Sequence, residues 1–488
     1  MKRGLLAPIA ALLVALIIGA VALQLGSRRA ASAAFAELIE PYGGAFASIR
    51  PQGPIGGLQG RWVVLDLRLD RPPEPLLSVA VERLEVAGAA ARASTRPGAA
   101  ERDMMRVANA VSASGLSVAF NDGRTLEAGR AAVTDLYLST KLSDAVAAGD
   151  SLSLSAAAVL NALSVGRMTA RGLRADLGES GATWSAEQLS IDDYRRGVMG
   201  RASLKNARIA RGGPDGLEVT IASGGVRRLD LRAAASAGSG PGRAESRDPR
   251  RAPSLTLAGV DARLHGGSRL EVERARLVAG NEWPGLSAPL PSETEISGAV
   301  FYPRIDAQSD LASLAAVLGE RAPFDYRDRW RVADGFIEVS DARLDAPDLF
   351  ALDFGFTIAP PDMPGPAFWA AGALGARLAA ADWRYEDKSF FDAVLDAAAR
   401  ERGRDLETTR EEIVTALGAF ESALEAGGAG RIAVAEARQF VSEPAALRVS
   451  VAPKTPVHLA DLGFAFLAGV DTAAEEFGVA LKWEAATP

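Results

Sequence analysis

A chain of 488 residues with 48% apolar and 24% charged side chains has room for about three domains or one elongated β-rich body, and its composition excludes a disordered chain. The net charge of −7 is small for this length and argues against a nucleic-acid-binding protein. There is no cysteine, so disulfides and thiolate metal sites are excluded, and with His265 and His458 the only histidines, a site of three imidazoles is impossible.

Leu5 to Leu25 is twenty-one residues of Leu, Ala, Val, Ile, Gly and Pro, with Gln24 the only clearly polar side chain. As a helix it would rise about 31 Å, the thickness of a bilayer's hydrocarbon core, and it predicts an N-terminal transmembrane anchor over residues 1–26. The competing reading is a cleaved secretory signal, with Lys2 and Arg3 as its charged start and Ala31-Ser32-Ala33 as the cleavage site. The length of the apolar run and the charges Arg28 and Arg29 favour the anchor, because a signal's apolar region is shorter and its cleavage region uncharged. The charged start favours export of the body, although Lys2 and Arg3 are balanced by Arg28 and Arg29 on the other flank.

Residues 27–46 read as a stalk helix, with Phe35, Leu38, Ile39 and Tyr42 at helical spacing and Pro41 and the Gly43-Gly44 pair at its end. A β-rich body over 47–300 follows. Its clearest strand alternates Leu65, Leu67 and Leu69 with Asp66, Arg68 and Asp70. The same alternation recurs at Leu77, Val79, Val81, at Leu116, Val118, Phe120, at Leu173, Ala175, Leu177, at Leu189, Ile191, and at Leu217, Val219, Ile221. It returns at Leu255, Leu257 and at Leu270, Val272. Asn121-Asp122-Gly123 is a hairpin signal between two of these strands. Short strands with no long helices between them predict an antiparallel meander with one buried face, and segments such as Leu163–Leu177 and Leu189–Ile209 suggest a loose repeat of one β unit. Residues 233–253, with Gly238-Ser239-Gly240-Pro241-Gly242 and a mixed-charge run, read as a flexible loop.

The C-terminal part, 301–488, mixes helix and sheet. Leu311, Leu314 and Leu318 fall at helical spacing, and Phe336, Val339, Phe354, Phe356 and Ile358 at strand spacing. Ser389 to Arg400, opened by a serine cap, and Leu406 to Ala426, stopped by Gly427-Gly428, predict a helical hairpin over 389–426 that covers a sheet. Leu447, Val449 and Val451 read as a strand, and Leu459 to Phe477 as a closing helix ending at Gly478.

No metalloprotease, P-loop, calcium-loop or nucleophile-elbow motif is present, and no catalytic, cofactor-binding or metal residue is assigned. The Gly238, Gly240, Gly242 series follows no strand. Asp192-Asp193-Tyr194-Arg195-Arg196 reads as a polar turn rather than an acid–base pair, since neighbours on a strand point to opposite faces. His458, between Val457 and Leu459, reads as a partly buried structural imidazole and His265 as a turn residue. What remains is physical: a long sheet with one apolar face either packs that face on itself or presents it to lipid.

The anchor followed by many short amphipathic strands resembles AsmA-like envelope proteins of Gram-negative bacteria. In the C-terminal third, Arg384-Tyr385-Glu386-Asp387-Lys388-Ser389-Phe390, Phe440-Val441-Ser442-Glu443-Pro444 and Pro453-Lys454-Thr455-Pro456-Val457 resemble uncharacterised anchored periplasmic proteins of proteobacteria. The resemblance implies a β-dominated α+β protein in the inner membrane with its body in the periplasm. It would be non-enzymatic and would contact or shuttle membrane lipids. A scaffold that binds another envelope protein through a sheet edge or the helical hairpin is the alternative. No nucleic-acid partner and no cofactor is expected.

Overall fold

Segments that alternate apolar and polar side chains can bury only one face, and they do so here in antiparallel sheets. The computed structural model describes residues 43–52, 61–70, 76–88, 103–140, 161–178, 181–212, 216–230, 252–264, 267–281, 290–304, 317–359, 377–458 and 470–485, with a few single residues between 33 and 40 and residue 461. The predicted anchor, the loop at 233–253, the Leu311 and Leu314 segment and His265 lie outside the described residues. The chain divides into two compact units, residues 1–242 with 253–258, and residues 243–252 with 259–488.

The first unit holds β1 (Gly44–Ala45), β2 (Ser48–Pro51), β3 (Trp62–Leu69), β4 (Leu76–Ala87), β5 (Met104–Phe120), β6 (Thr125–Ser139), β7 (Leu163–Asp176), β8 (Ala182–Arg195), β9 (Val198–Arg211) and β10 (Leu217–Asp230). From β3 to β10 each strand pairs antiparallel with the next, and β1 and β2 pair with the other edge of β3. At the Asn121-Asp122-Gly123 turn, Gly123 has a φ of +78° and the Phe120 amide bonds the Arg124 carbonyl, which closes the β5–β6 hairpin. The inner faces of β3 to β7 are buried in one core, closed at its start by Phe35 and Ile39. Toward β10 the same face opens, and Leu189, Leu204, Ile221 and Val226 are only partly buried.

These strands do not keep a strict two-residue alternation. In β6 the buried residues are Leu126, Ala128, then Ala131, Val133, then Leu136, Leu138, with a step of three at two places. Each step coincides with a row of left-handed residues running across the sheet. In the first row Asp66, Gly115, Gly172 and Asn206, on β3, β5, β7 and β9, have φ of +51°, +59°, +62° and +46°. Between them stand Glu82, Gly129 and Glu187, and the pairs on both sides remain in one-to-one register, as with Leu65 opposite Arg83 and Leu67 opposite Val81. A second row lies six residues further along each strand and carries Asp135, Asp193 and Arg228 at φ of +54°, +54° and +55° on β6, β8 and β10. A left-handed residue turns the strand, so the next side chain regains the same face after three residues. Gly, Asp and Asn dominate because they reach that conformation most cheaply. In the second row glycine stands opposite and makes room, since a Cβ on Gly166 would sit 3.0 Å from the Asp135 carboxylate.

This corrects the reading of the clearest strand. Asp66 breaks its phase, so Trp62 and Val64 share the inner face with Leu67 and Leu69, and Leu65 does not. A register shift between Leu76 and Ser78 likewise buries Leu76 and leaves Leu77 exposed.

β11 (Ser254–Arg263) begins in the first unit and ends in the second. The second unit continues with β12 (Arg269–Asn281), β13 (Leu290–Tyr302), β14 (Ala322–Ala333), β15 (Phe336–Ala346), β16 (Phe350–Ala359) and β17 (Arg377–Asp387), paired antiparallel in chain order from β12. Residue 300, where the sequence reading divides body from C-terminal part, lies inside β13, which is paired on both sides. Three helices follow, α1 (Phe390–Glu401), α2 (Leu406–Ala423) and α3 (Ala429–Ser442). Then come β18 (Ala446–Val451), β19 (Val457–His458), α4 (Val470–Phe477) and β20 (Val479–Glu484), where β18 pairs with β17 and β20, and β19 with β17.

The expected two-helix hairpin is therefore followed by a third helix, and the expected closing helix has α4 at its end, before a final strand. Ser389 stands at the start of α1 without capping it: its hydroxyl donates to the Asp348 carbonyl, and the Asp387 carboxylate accepts the Phe391 amide instead. Asp405 does cap α2, accepting the Thr408 amide at 2.8 Å. The first turn of α3 has no cap in its own segment. Asp471, at the start of α4, accepts the Gly430 amide across the fold.

Candidate functional site

The polar candidates read from the sequence do not form a site. Asp192 and Asp193 lie near the end of β8, one turned to Arg167 at 2.6 Å and the other to Arg195 at 2.7 Å, while Arg196 at the turn reaches Asp103. Tyr194 beside them is buried in the core, so Asp192 to Arg195 is strand with paired charges and only Arg196 stands in the turn. His458 is exposed at the end of β19, not partly buried, because it pairs only at the sheet's rim with Arg377. Gly238, Gly240 and Gly242 lie outside the described residues. Among the described residues no group of three or more His, Asp or Glu side chains is placed to hold a metal ion. A depression of about 460 Å³ in the first unit is lined mainly by exposed polar residues such as Glu127, Arg174, Asp176 and Arg208, and carries no buried charge.

A different arrangement lies on the inner face of the second unit. On β14 the residues Tyr326, Asp328 and Trp330 share one face, and Arg327 and Arg329 the other, exposed, face. Asp328 is 4% exposed. Its Oδ2 accepts hydrogen bonds from the Tyr326 hydroxyl and the Trp330 indole Nε1, each at 2.6 Å, and its Oδ1 is buried with no partner. Burial, and then the bond to Asp328, hold the Tyr326 hydroxyl well above the usual tyrosine range. The strand opposite bulges at this point: between Arg327–Arg343 and Arg329–Ser340, Asp341 and Ala342 of β15 face Asp328 alone, and Asp341 has a φ of +52°.

Register carries this position across the sheet. Ala342 faces Phe354 of β16, Phe354 faces Trp383 of β17, and Trp383 faces Val449 of β18. The strip from Asp328 to Trp383 crosses three strand spacings, about 14 Å. It is bordered by Tyr326 stacked on Phe354 at 6.5 Å and by Trp330 edge-on to Phe356 at 6.2 Å.

Both flanks of the strip at β17 are covered. Toward the Asp387 end, Phe390 packs on Phe350, and Phe440 packs on Tyr385 and Phe391, so α1 and α3 close that side. There the Tyr385 hydroxyl donates to Asp387 at 2.6 Å, and burial followed by that bond raises its pKa. Toward the Arg377 end, Phe477 of α4 packs with Leu378, Ala381 and Val451. Trp383 between the two covers is 37% exposed, and Tyr326, Trp330, Phe354 and Phe356 are half-buried. The strip is thus apolar and aromatic, buried at Asp328 and Ala342 and exposed at Trp383, with one carboxylate at its buried end.

A family model described only as an uncharacterized protein matches residues 343–483. It takes in the Phe354 and Trp383 half of the strip and the three segments quoted above from the C-terminal third, and stops short of Asp328. No curated protein matches the chain.

The sequence reading missed Asp328. Its signal was present as parity: in Tyr326-Arg327-Asp328-Arg329-Trp330 the aspartate occupies the apolar phase of an amphipathic strand.

Proposed function

We propose that this is a non-enzymatic, membrane-anchored periplasmic protein that holds the apolar chain of a lipid along the strip between Asp328 and Trp383. The observation that carries the reading is the exposed Trp383, beside a half-buried Phe354, left between two helical covers, in a chain whose first unit buries its inner face from β3 to β7. An aromatic surface of this kind is costly in water and is matched by an acyl chain. The Leu5 to Leu25 stretch would place the body beside the inner membrane, and the AsmA-like resemblance belongs to the same proposal. Among the described residues no helix is long and apolar enough to cross a membrane, so the anchor rests on the sequence alone.

Native mass spectrometry of the gently extracted full-length protein tests the reading. Co-purified phospholipid is expected, and Trp383→Glu, at an already exposed position, should reduce its occupancy about tenfold with the fold intact. A lipid-free protein that takes up no lipid from vesicles would refute it.

The second reading, a protein-binding module, is favoured by Val394, Phe420 and Ile432, which are 38%, 45% and 55% exposed on α1, α2 and α3. Crosslinking in cells should then capture one dominant protein through those helices, and charge substitutions at Phe420 and Ile432 should abolish the capture.

A further inference from the structure

A carboxylate on an apolar face needs a partner for each oxygen, because an unmatched buried acceptor costs free energy that a matched one does not. Asp328 satisfies half of this requirement. The Tyr326 hydroxyl and the Trp330 indole both donate to Oδ2, which fixes the carboxylate's orientation, while Oδ1 is buried and unbonded. The nearby charges do not serve it. Arg327 and Arg329 point to the opposite face, where Arg329 is 3.3 Å from Asp341, and no ion pair reaches Asp328 among the described residues. The cross-strand neighbours on its own face are Thr294 of β13 and Ala342 of β15, neither of which donates to it.

On these grounds we propose that Asp328 is the polar-end recognition site of the strip, and that the bound amphiphile carries a protonated amine whose N–H donates to Oδ1. This deepens the lipid-chain reading and rests on it. An anionic head is disfavoured, since it would meet a carboxylate with no arginine or lysine on that side of β14. An ammonium gains the missing hydrogen bond and a favourable charge. The apolar tail then runs past Phe354 toward Trp383. Because Oδ1 is buried, the amine reaches it only as the packing around Asp328 opens.

The test uses two photoreactive twelve-carbon probes, a primary amine and its trimethylammonium counterpart, each with a diazirine at the tail end. They carry the same charge but only the first has N–H donors. The full-length protein is held in nanodiscs of zwitterionic lipid, and labelled peptides are mapped by mass spectrometry. In the wild type the amine should label the peptides containing Phe354 and Trp383 at about tenfold lower concentration than the trimethylammonium probe, the equivalent of one charge-assisted hydrogen bond. Asp328→Asn keeps the shape and an oxygen for Tyr326 and Trp330 but replaces the free acceptor with a donor, so both probes should label the strip equally.

A wild type that labels with no preference, or Asp328→Asn with its preference unchanged, would overturn the proposal and leave a trapped water as the partner of Oδ1. Failure of both probes to label the strip would instead remove the lipid-chain reading and this one with it. Circular dichroism of the variant separates loss of preference from loss of fold.

Discussion

Gly129 and Gly172 face each other across β6 and β7, and replacing each with alanine separates backbone conformation from space as the reason for the left-handed rows. At Gly172 an added Cβ would meet nothing closer than the Gly129 amide nitrogen at 3.6 Å, and at Gly129 nothing closer than the Arg171 carbonyl oxygen, also at 3.6 Å. Space is therefore equal. Only Gly172 has a positive φ, +62°. Alanine there takes on the left-handed penalty of about 1–2 kcal/mol, offset by about 0.4–1 kcal/mol from a stiffer unfolded chain, for a net loss of about 1 kcal/mol. Gly129→Ala carries no such penalty and should stabilise by about 0.4–1 kcal/mol. Hydrogen exchange of peptides within residues 125–176, measured by mass spectrometry on the full-length protein, reads both. Protection should fall about fivefold in Gly172→Ala and rise in Gly129→Ala, since about 1.4 kcal/mol is a factor of ten. Equal loss of protection in the two variants would mean that crowding, not φ, selects glycine in these rows, and the account of the phase steps would fail.

Asp405→Ala removes the side chain that accepts both the Thr408 amide and the Thr408 hydroxyl, and should cost α2 about 1 kcal/mol, visible as faster exchange of its first-turn amides with the sheet unaffected. Arg269 grips Asp261 through two bonds of 2.9 and 2.6 Å and holds that carboxyl below its ordinary value of 3.8, the hydrogen bonds outweighing partial burial. A depressed folded pKa stabilises the native state fully above the ordinary value, and the contribution fades as pH falls through the lower folded value. Arg269→Met should thus return the Asp261 titration toward 3.8 by NMR and narrow the stability difference from wild type only below that pH.

Where burial follows local pattern, the sequence was a good guide. The turn at Asn121-Asp122-Gly123 and the strands around Leu116, Val118 and Phe120 were legible because their determinants are neighbours in the chain. α3 was not. Its opening Gly428-Ala429-Gly430 offers no cap, and the group that serves its first turn is Asp471, 41 positions away. Leu65 and Leu77 misled for a related reason. A strand's phase depends on single residues such as Asp66, whose left-handed conformation is compatible with, but not dictated by, its side chain.

By itself, then, the chain determined an apolar N-terminal stretch, an antiparallel β-dominated body and helices gathered near its C-terminus, all of them consequences of local spacing. Tertiary structure alone decided which of two equivalent-looking apolar faces closes. From β3 to β7 successive strands bury theirs in one core, whereas at β17 the helices cover the Tyr385 and Leu378 ends and leave Trp383 between them. It also decided that Asp328, one acid among many in the sequence, stands on the apolar side of a strand opposite a bulge, with one oxygen held and the other buried without a partner. Burial and pairing are sums over strands far apart in the chain, and no local spacing encodes them.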